Sequence, residues 1–127
     1  MLREHSTPRP DWRERCEAVG FDFHTIDGVY WDESACYRFT SDEIDALEAA
    51  TEALHRLCLE ACEEIVVKRR FDELAIPPKF HDLVARSWRD REPSLMGRFD
   101  LAWTGEGAPK LLEYNADTPT ALLEASV

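Results

Sequence analysis

Arg98-Phe99-Asp100-Leu101-Ala102-Trp103 and Lys110-Leu111-Leu112-Glu113-Tyr114-Asn115 flank a turn cluster, Thr104 to Pro109, that holds Gly105, Gly107 and Pro109. The first run alternates polar and apolar side chains, and two such runs around a glycine-rich turn predict a β-hairpin. Successive side chains of a strand point to opposite faces. Arg98 and Asp100 therefore share one face, and Phe99, Leu101 and Trp103 the other. In the second run Glu113 and Asn115 share a face, with Leu112 and Tyr114 opposite. Aligning the apolar faces brings Arg98, Asp100, Glu113 and Asn115 onto one patch. Asp and Asn are poor strand formers, so something other than strand propensity holds them there. Two carboxylates and an amide oxygen are a hard-oxygen set suited to Mg²⁺, which also takes substrate phosphates as ligands. An arginine beside them can hold a phosphate or carboxylate by a bidentate fork. The competing reading is a solvated polar face of an amphipathic hairpin. Alternation alone favours that reading, because antiparallel sheets commonly wet one face.

Asn115-Ala116-Asp117-Thr118-Pro119-Thr120 follows directly. Its side chains and amides can grip an anionic group as Asx and Ser/Thr turns do. An ordinary polar turn with Thr118 or Thr120 as a helix cap is just as physical.

Upstream, a long helix is the clearest element. Thr40 and Glu43 form a T-x-x-E capping box, and Ile44, Leu47, Leu54, Leu57, Cys58, Ala61, Ile65 and Val66 recur at spacings of three and four. Asp42, Glu43 and Asp45 crowd the first turn and Lys68-Arg69-Arg70 the last, which complements the helix dipole. The expected span is about 28 residues, roughly 42 Å, and a stripe that long needs partners to bury it. Pro77-Pro78 stops one helix and starts another, with Phe80, Leu83, Val84 and Trp88 on one face. Arg13 to Ala18 predicts a short helix stopped by Gly20, residues 1–10 read as a frayed start, and Asp27-Gly28 followed by Val29-Tyr30-Trp31 reads as a turn into a strand or an extended segment. These elements make a mixed α/β chain of the α+β type, with a long amphipathic helix and a shorter helix packed on a small sheet that contains the hairpin. Such layers are thin, so exposed apolar surface is expected.

His55, Cys58 and Cys62 fall at i, i+3 and i+7 of the long helix. No paired C-x-x-C completes a tetrahedral site, so buried core cysteines are expected there rather than zinc ligands. His5, His24 and His81 stand isolated in the sequence, no Ser or Cys lies in a G-x-S-x-G motif, and Thr104-Gly105-Glu106-Gly107-Ala108-Pro109 lacks the G-K-[ST] end of a phosphate loop.

The 127 residues suit one domain, with 44% hydrophobic and 32% charged residues as in globular chains. The net charge is −11, and only Lys68-Arg69-Arg70 approaches a basic patch, so no nucleic-acid partner is expected. The longest aliphatic run is Ile65-Val66-Val67, so no membrane partner is expected either. The opening MLREHSTPRP lacks the apolar core of a signal peptide. The expectation is a cytoplasmic chain whose cysteines, at 16, 36, 58 and 62, are reduced thiols. The acidic surface suits a polyamine or a divalent metal, although plain solubility explains it better.

Three segments resemble the N-terminal part of the glutathionylspermidine synthase family. They are Val29-Tyr30-Trp31-Asp32-Glu33-Ser34-Ala35-Cys36-Tyr37-Arg38-Phe39, Gly97-Arg98-Phe99-Asp100, and Leu112-Glu113-Tyr114-Asn115-Ala116-Asp117-Thr118-Pro119-Thr120. The third segment is the most specific, and R-F-D followed by E-Y-N-A-D at this spacing is a fairly specific pair. Members of this family are ATP-grasp C–N ligases that phosphorylate a carboxylate with ATP and let an amine attack the acyl phosphate. The resemblance implies that Asp100, Glu113 and Asn115 hold Mg²⁺ and, through it, ATP. It implies a catalytic role for Arg98 on the transferring phosphoryl group, with Arg98 and Asp100 also contacting the nucleotide. Thr118 and Thr120 would contact the acid, either glutathione or a peptide, and the amine would be a polyamine. Glutathione-specific members carry serines there, whereas Thr118-Pro119-Thr120 looks more like the stand-alone bacterial acid–amine ligases. The resemblance further implies that residues 1–127 are an incomplete pre-ATP-grasp segment ending before the ATP-grasp region, inactive alone. The alternative is a non-catalytic binding or regulatory module derived from that family.

Overall fold

The computed structural model describes residues 1–117 and 121–127. In chain order the elements are β1 (Leu2–His5), α1 (Trp12–Ala18), β2 (Ala35–Arg38), α2 (Ser41–Val67), α3 (His81–Asp90), β3 (Gly97–Ala102) and β4 (Lys110–Ala116). Short 3₁₀ turns lie at Phe71–Leu74, Pro78–Phe80 and Glu124–Ser126. The architecture is α+β. The small sheet with the hairpin is present as β3-β4, and a second antiparallel two-stranded sheet, β1-β2, accompanies it. The chain forms two compact units, Met1–Ile44 with Met96–Val127, and Asp45–Leu95.

In the first unit the opening residues are not frayed. Leu2 pairs with Arg38 and His5 with Ala35, and the Ser6 amide donates to the Ser34 carbonyl at 2.8 Å. Backbone pairing of this kind leaves no trace in hydrophobic alternation, which is why it was not foreseen. The turn precedes Val29-Tyr30-Trp31, which is bent and joins no strand. The amides of Tyr30 and Trp31 both donate to the His24 carbonyl, at 3.1 and 2.9 Å. α1 ends as expected, with Gly20 at φ +83°. Cys16 and Phe21 are fully buried. Phe21 sits edge-to-face with Phe23, Tyr30 and Trp31 at centroid distances of 4.5, 5.9 and 5.7 Å. His24, buried beside Phe21 and Trp12, is part of this cluster and not isolated.

α2 starts on the foreseen capping box. The Thr40 amide donates to Glu43 Oε2 at 2.9 Å, and the Glu43 amide donates to Thr40 Oγ1 at 3.2 Å. The helix has 27 residues. Lys68-Arg69-Arg70 lie just beyond its end and not in its last turn, and Arg69 adopts φ +50°.

In the second unit Phe71 is the fully buried residue. Its ring lies 4.7 Å from that of His81, whose Nε2 donates to the Ile76 carbonyl at 2.8 Å, so His81 is not isolated either. The cysteine expectation is corrected: Cys58 is half-buried and Cys62 exposed, while Cys16 is the buried thiol. The apolar exposure expected of such a chain is present on this helix. α2 fully buries no described residue, and Leu57 is 59% and Val67 67% exposed. No described helix is long and apolar enough to cross a membrane.

Candidate functional site

The register of β3 and β4 sets the site. Arg98 lies opposite Asn115, Phe99 opposite Tyr114, and Asp100 opposite Glu113. Opposed residues have Cβ atoms about 4.5–5.5 Å apart, so Arg98, Asp100, Glu113 and Asn115 form a two-by-two patch on one face. On the other face the Phe99 and Tyr114 rings stack, with centroids 4.0 Å apart and planes 19° from parallel. Tyr114 lies across Gly97 as well. A Cβ added at Gly97 would come within 2.6 Å of its ring, so the close approach needs glycine.

Two details of the hairpin differ from simple alternation. The register shifts after Asp100, so that Leu101 opposes Leu111 and Ala102 opposes Lys110. This β-bulge leaves Leu112 without an opposed partner and 69% exposed, not on an apolar face with Tyr114. β3 also ends before Trp103. The Trp103 indole instead donates to the Gly107 carbonyl at 2.9 Å and closes the turn.

Two of the charges on the patch pair with each other. Arg98 Nε donates to Asp100 Oδ1 at 2.8 Å and Arg98 Nη2 to Asp100 Oδ2 at 3.4 Å. Arg98 and Asp100 are 40% and 38% exposed. The Asp100 hydrogen bond and charge hold the Arg98 guanidinium above its ordinary pKa, with smaller contributions from Glu113 and Tyr30. The Asn115 Nδ2 is buried and has no hydrogen-bond partner among the described residues. Such an orphaned amide beside two carboxylates and a guanidinium fits a site completed by a ligand with anionic oxygens. The donor set is two carboxylates and one amide oxygen, which fits Mg²⁺.

Tyr30 and Glu124 adjoin this patch, and neither was singled out from the sequence. The Tyr30 hydroxyl donates to Glu124 Oε1 at 3.0 Å across 94 residues of chain. This bond and the Glu124 charge push the Tyr30 hydroxyl up, while the Arg98 charge opposes them. Tyr30 lies in the segment Val29–Phe39 that carries the family likeness, which was the one signal available for it. Thr118 and Thr120 lie outside the described residues.

A second polar cluster lies off the patch. Arg9 donates from Nε to Glu33 Oε1 at 3.0 Å and from its backbone amide to Glu33 Oε2 at 2.9 Å. The Trp31 indole also donates to Glu33, at 3.2 Å. These bonds, Arg9 foremost, pull the Glu33 carboxyl down from 4.5 to about 2 against the opposing effect of burial. Among the described residues no three His, Cys, Asp or Glu side chains are gathered for a metal centre.

The second unit has a groove of about 1000 Å³ lined by Leu59, Val66, Leu74, Leu83, Val84 and Trp88, with Cys62 at its side. Its lining is mostly apolar, with His55, Glu63, Arg91 and Glu92 among the residues around it.

Comparison with known proteins agrees with the family likeness. The glutathionylspermidine synthase pre-ATP-grasp family model matches residues 3–127. A candidate acid–amine ligase of Haemophilus influenzae is 41% identical over 123 residues, which cover 94% of this chain and 31% of that protein. A glutathionylspermidine synthase of Crithidia fasciculata is 33% identical over 95 residues, covering 71% of this chain and 13% of that protein. The chain thus spans less than a third of the length of these curated relatives.

Proposed function

Because the chain belongs to the glutathionylspermidine synthase pre-ATP-grasp family, we propose that its hairpin face is the metal- and phosphoryl-handling part of an ATP-dependent acid–amine ligase. The observation that carries this reading is the register, which sets Arg98 opposite Asn115 and Asp100 opposite Glu113 on the face away from the Phe99–Tyr114 stack.

In the proposed reaction a carboxylate oxygen of the acid attacks the terminal phosphorus of ATP, and ADP leaves. The amine nitrogen then attacks the acyl carbon, and phosphate leaves as the amide forms. Asp100, Glu113 and Asn115 are the residues of this chain that would hold Mg²⁺, which when bound neutralises charge on the phosphate oxygens. Arg98 carries its fork of donors to the transferring phosphoryl group, where charge develops. Thr118 and Thr120 are assigned to contact with the acid in this reading, on the strength of the family likeness alone. The relatives' names support a small acid, glutathione or a peptide, and a polyamine as the amine. A chain spanning less than a third of its relatives carries part of a composite site, and by itself it is not expected to turn over ATP.

The test is Asp100→Ala in a full-length ligase that carries this segment. Ligation should fall by about 10²–10³-fold, the usual cost of losing a group that stabilises transition-state charge. Wild-type rates in that variant would overturn the assignment of Asp100.

A further inference from the structure

Arg98 and Asp100 have opposite tasks in the proposed reaction, one toward an anion and one toward a cation, yet they are bonded to each other. Both Asp100 oxygens accept from the guanidinium, at 2.8 and 3.4 Å. The two residues stand two apart on β3, on the same face, so the strand period brings them within reach of each other. A carboxylate held this way at both oxygens has fewer lone pairs to turn toward a metal. Beside the pair lies the buried Asn115 Nδ2, which lacks a partner among the described residues and is the kind of donor an anionic oxygen satisfies.

We propose that the Arg98–Asp100 pair is a charge latch. Arg98 is the resident counter-ion of Asp100, and a divalent cation takes the carboxylate only by displacing the guanidinium, which then turns to a phosphate-type anion. The inference rests on the reading of Asp100 as a metal ligand. Its consequence is mutual reinforcement. A cation alone leaves the guanidinium beside a second positive charge, and an anion alone meets the Asp100 carboxylate. Cation and anion together take one half of the pair each, so each tightens the binding of the other.

The test uses the full 127-residue chain, with Mg²⁺ and inorganic phosphate as probes. Water exchange of the Arg98 Nε–H is followed by NMR, and the resonance is assigned by its loss in Arg98→Gln. As Mg²⁺ saturates the chain, the latch predicts faster exchange at that proton. At constant free Mg²⁺, phosphate should tighten Mg²⁺ binding by about fivefold or more, the lower end of ordinary coupling between sites. In Arg98→Gln, Mg²⁺ alone should bind more tightly than in the wild type, and the response to phosphate should vanish. Saturation by Mg²⁺ with an unchanged Arg98 Nε–H would overturn the latch and leave the metal reading standing. Failure of both wild type and Arg98→Gln to bind Mg²⁺ would overturn the metal reading, and the latch with it.

Discussion

β1–β2 and β3–β4 are both two-stranded antiparallel sheets of the first unit, but only β3–β4 has an apolar back. Behind its polar patch stand the stacked Phe99 and Tyr114 rings, with Gly97 under Tyr114. Most residues of β1 and β2 are exposed, and their side-chain support is polar. Arg38 pairs with Glu4 at 2.7 Å, and Arg9 closes onto Glu33 just ahead of β2. A lone two-stranded sheet is marginal in water, so what lies behind it decides how firmly it holds its side chains. A site for phosphoryl chemistry needs donors held within fractions of an ångström, and only the sheet with a packed back offers that.

The comparison can be broken at either sheet. Phe99→Ala removes the aromatic stack and should destabilise β3–β4 by about 2–3 kcal/mol, less than a fully buried Phe because the ring is half-exposed. Hydrogen exchange of the β3 and β4 amides reads this directly, and unchanged protection would mean that the stack does not hold the hairpin. Gly97→Ala drives a methyl into Tyr114 and should cost roughly 1–3 kcal/mol by overpacking. The Phe99–Tyr114 ring-current shifts should move with it.

The next effect belongs to the first sheet and depends on pH. The Glu33 carboxyl is held near 2 in the folded chain against an ordinary 4.5, chiefly by Arg9. A depressed carboxyl contributes stability that is present above its unfolded value and is lost as pH falls through its folded one. The β1 and β2 amides should therefore lose protection between about pH 4.5 and pH 2, ahead of those of β3 and β4. Glu33→Gln should abolish that difference, and identical acid profiles for the two sheets would refute it. The smallest effect is expected for Arg38→Ala. An ion pair whose arginine is 73% exposed contributes little, and the melting temperature should shift by an amount equivalent to less than about 0.5 kcal/mol.

The same contrast explains what could be read in advance. The polar patch of β3–β4 was legible because an apolar back forces alternation, and alternation shows in one dimension. β1–β2 has no such back, so residues 1–10 carried no strand pattern. The bulge at Leu112 was illegible, since Leu111 and Leu112 are equally apolar and only the ladder shows which of them lacks an opposed partner. Cys58 and Cys62 followed the apolar period of α2, but period alone does not say how much of a helix face its surroundings cover.

By itself the sequence determined what neighbours in the chain settle between themselves. It specified the capping box of Thr40 and Glu43, the stop at Gly20, the helix over most of residues 41–67, and the common face of Arg98 with Asp100 and of Glu113 with Asn115. These follow from fixed helical and strand periods over a few residues. The tertiary structure alone decided the pairing of Leu2–His5 with Ala35–Arg38, the meeting of Tyr30 with Glu124 beside Arg98, and the closure of Arg98 onto Asp100 in place of solvent. The first two join residues far apart in the chain. The third depends on the local dielectric and on which neighbours surround the pair, and neither has a signature in residue order.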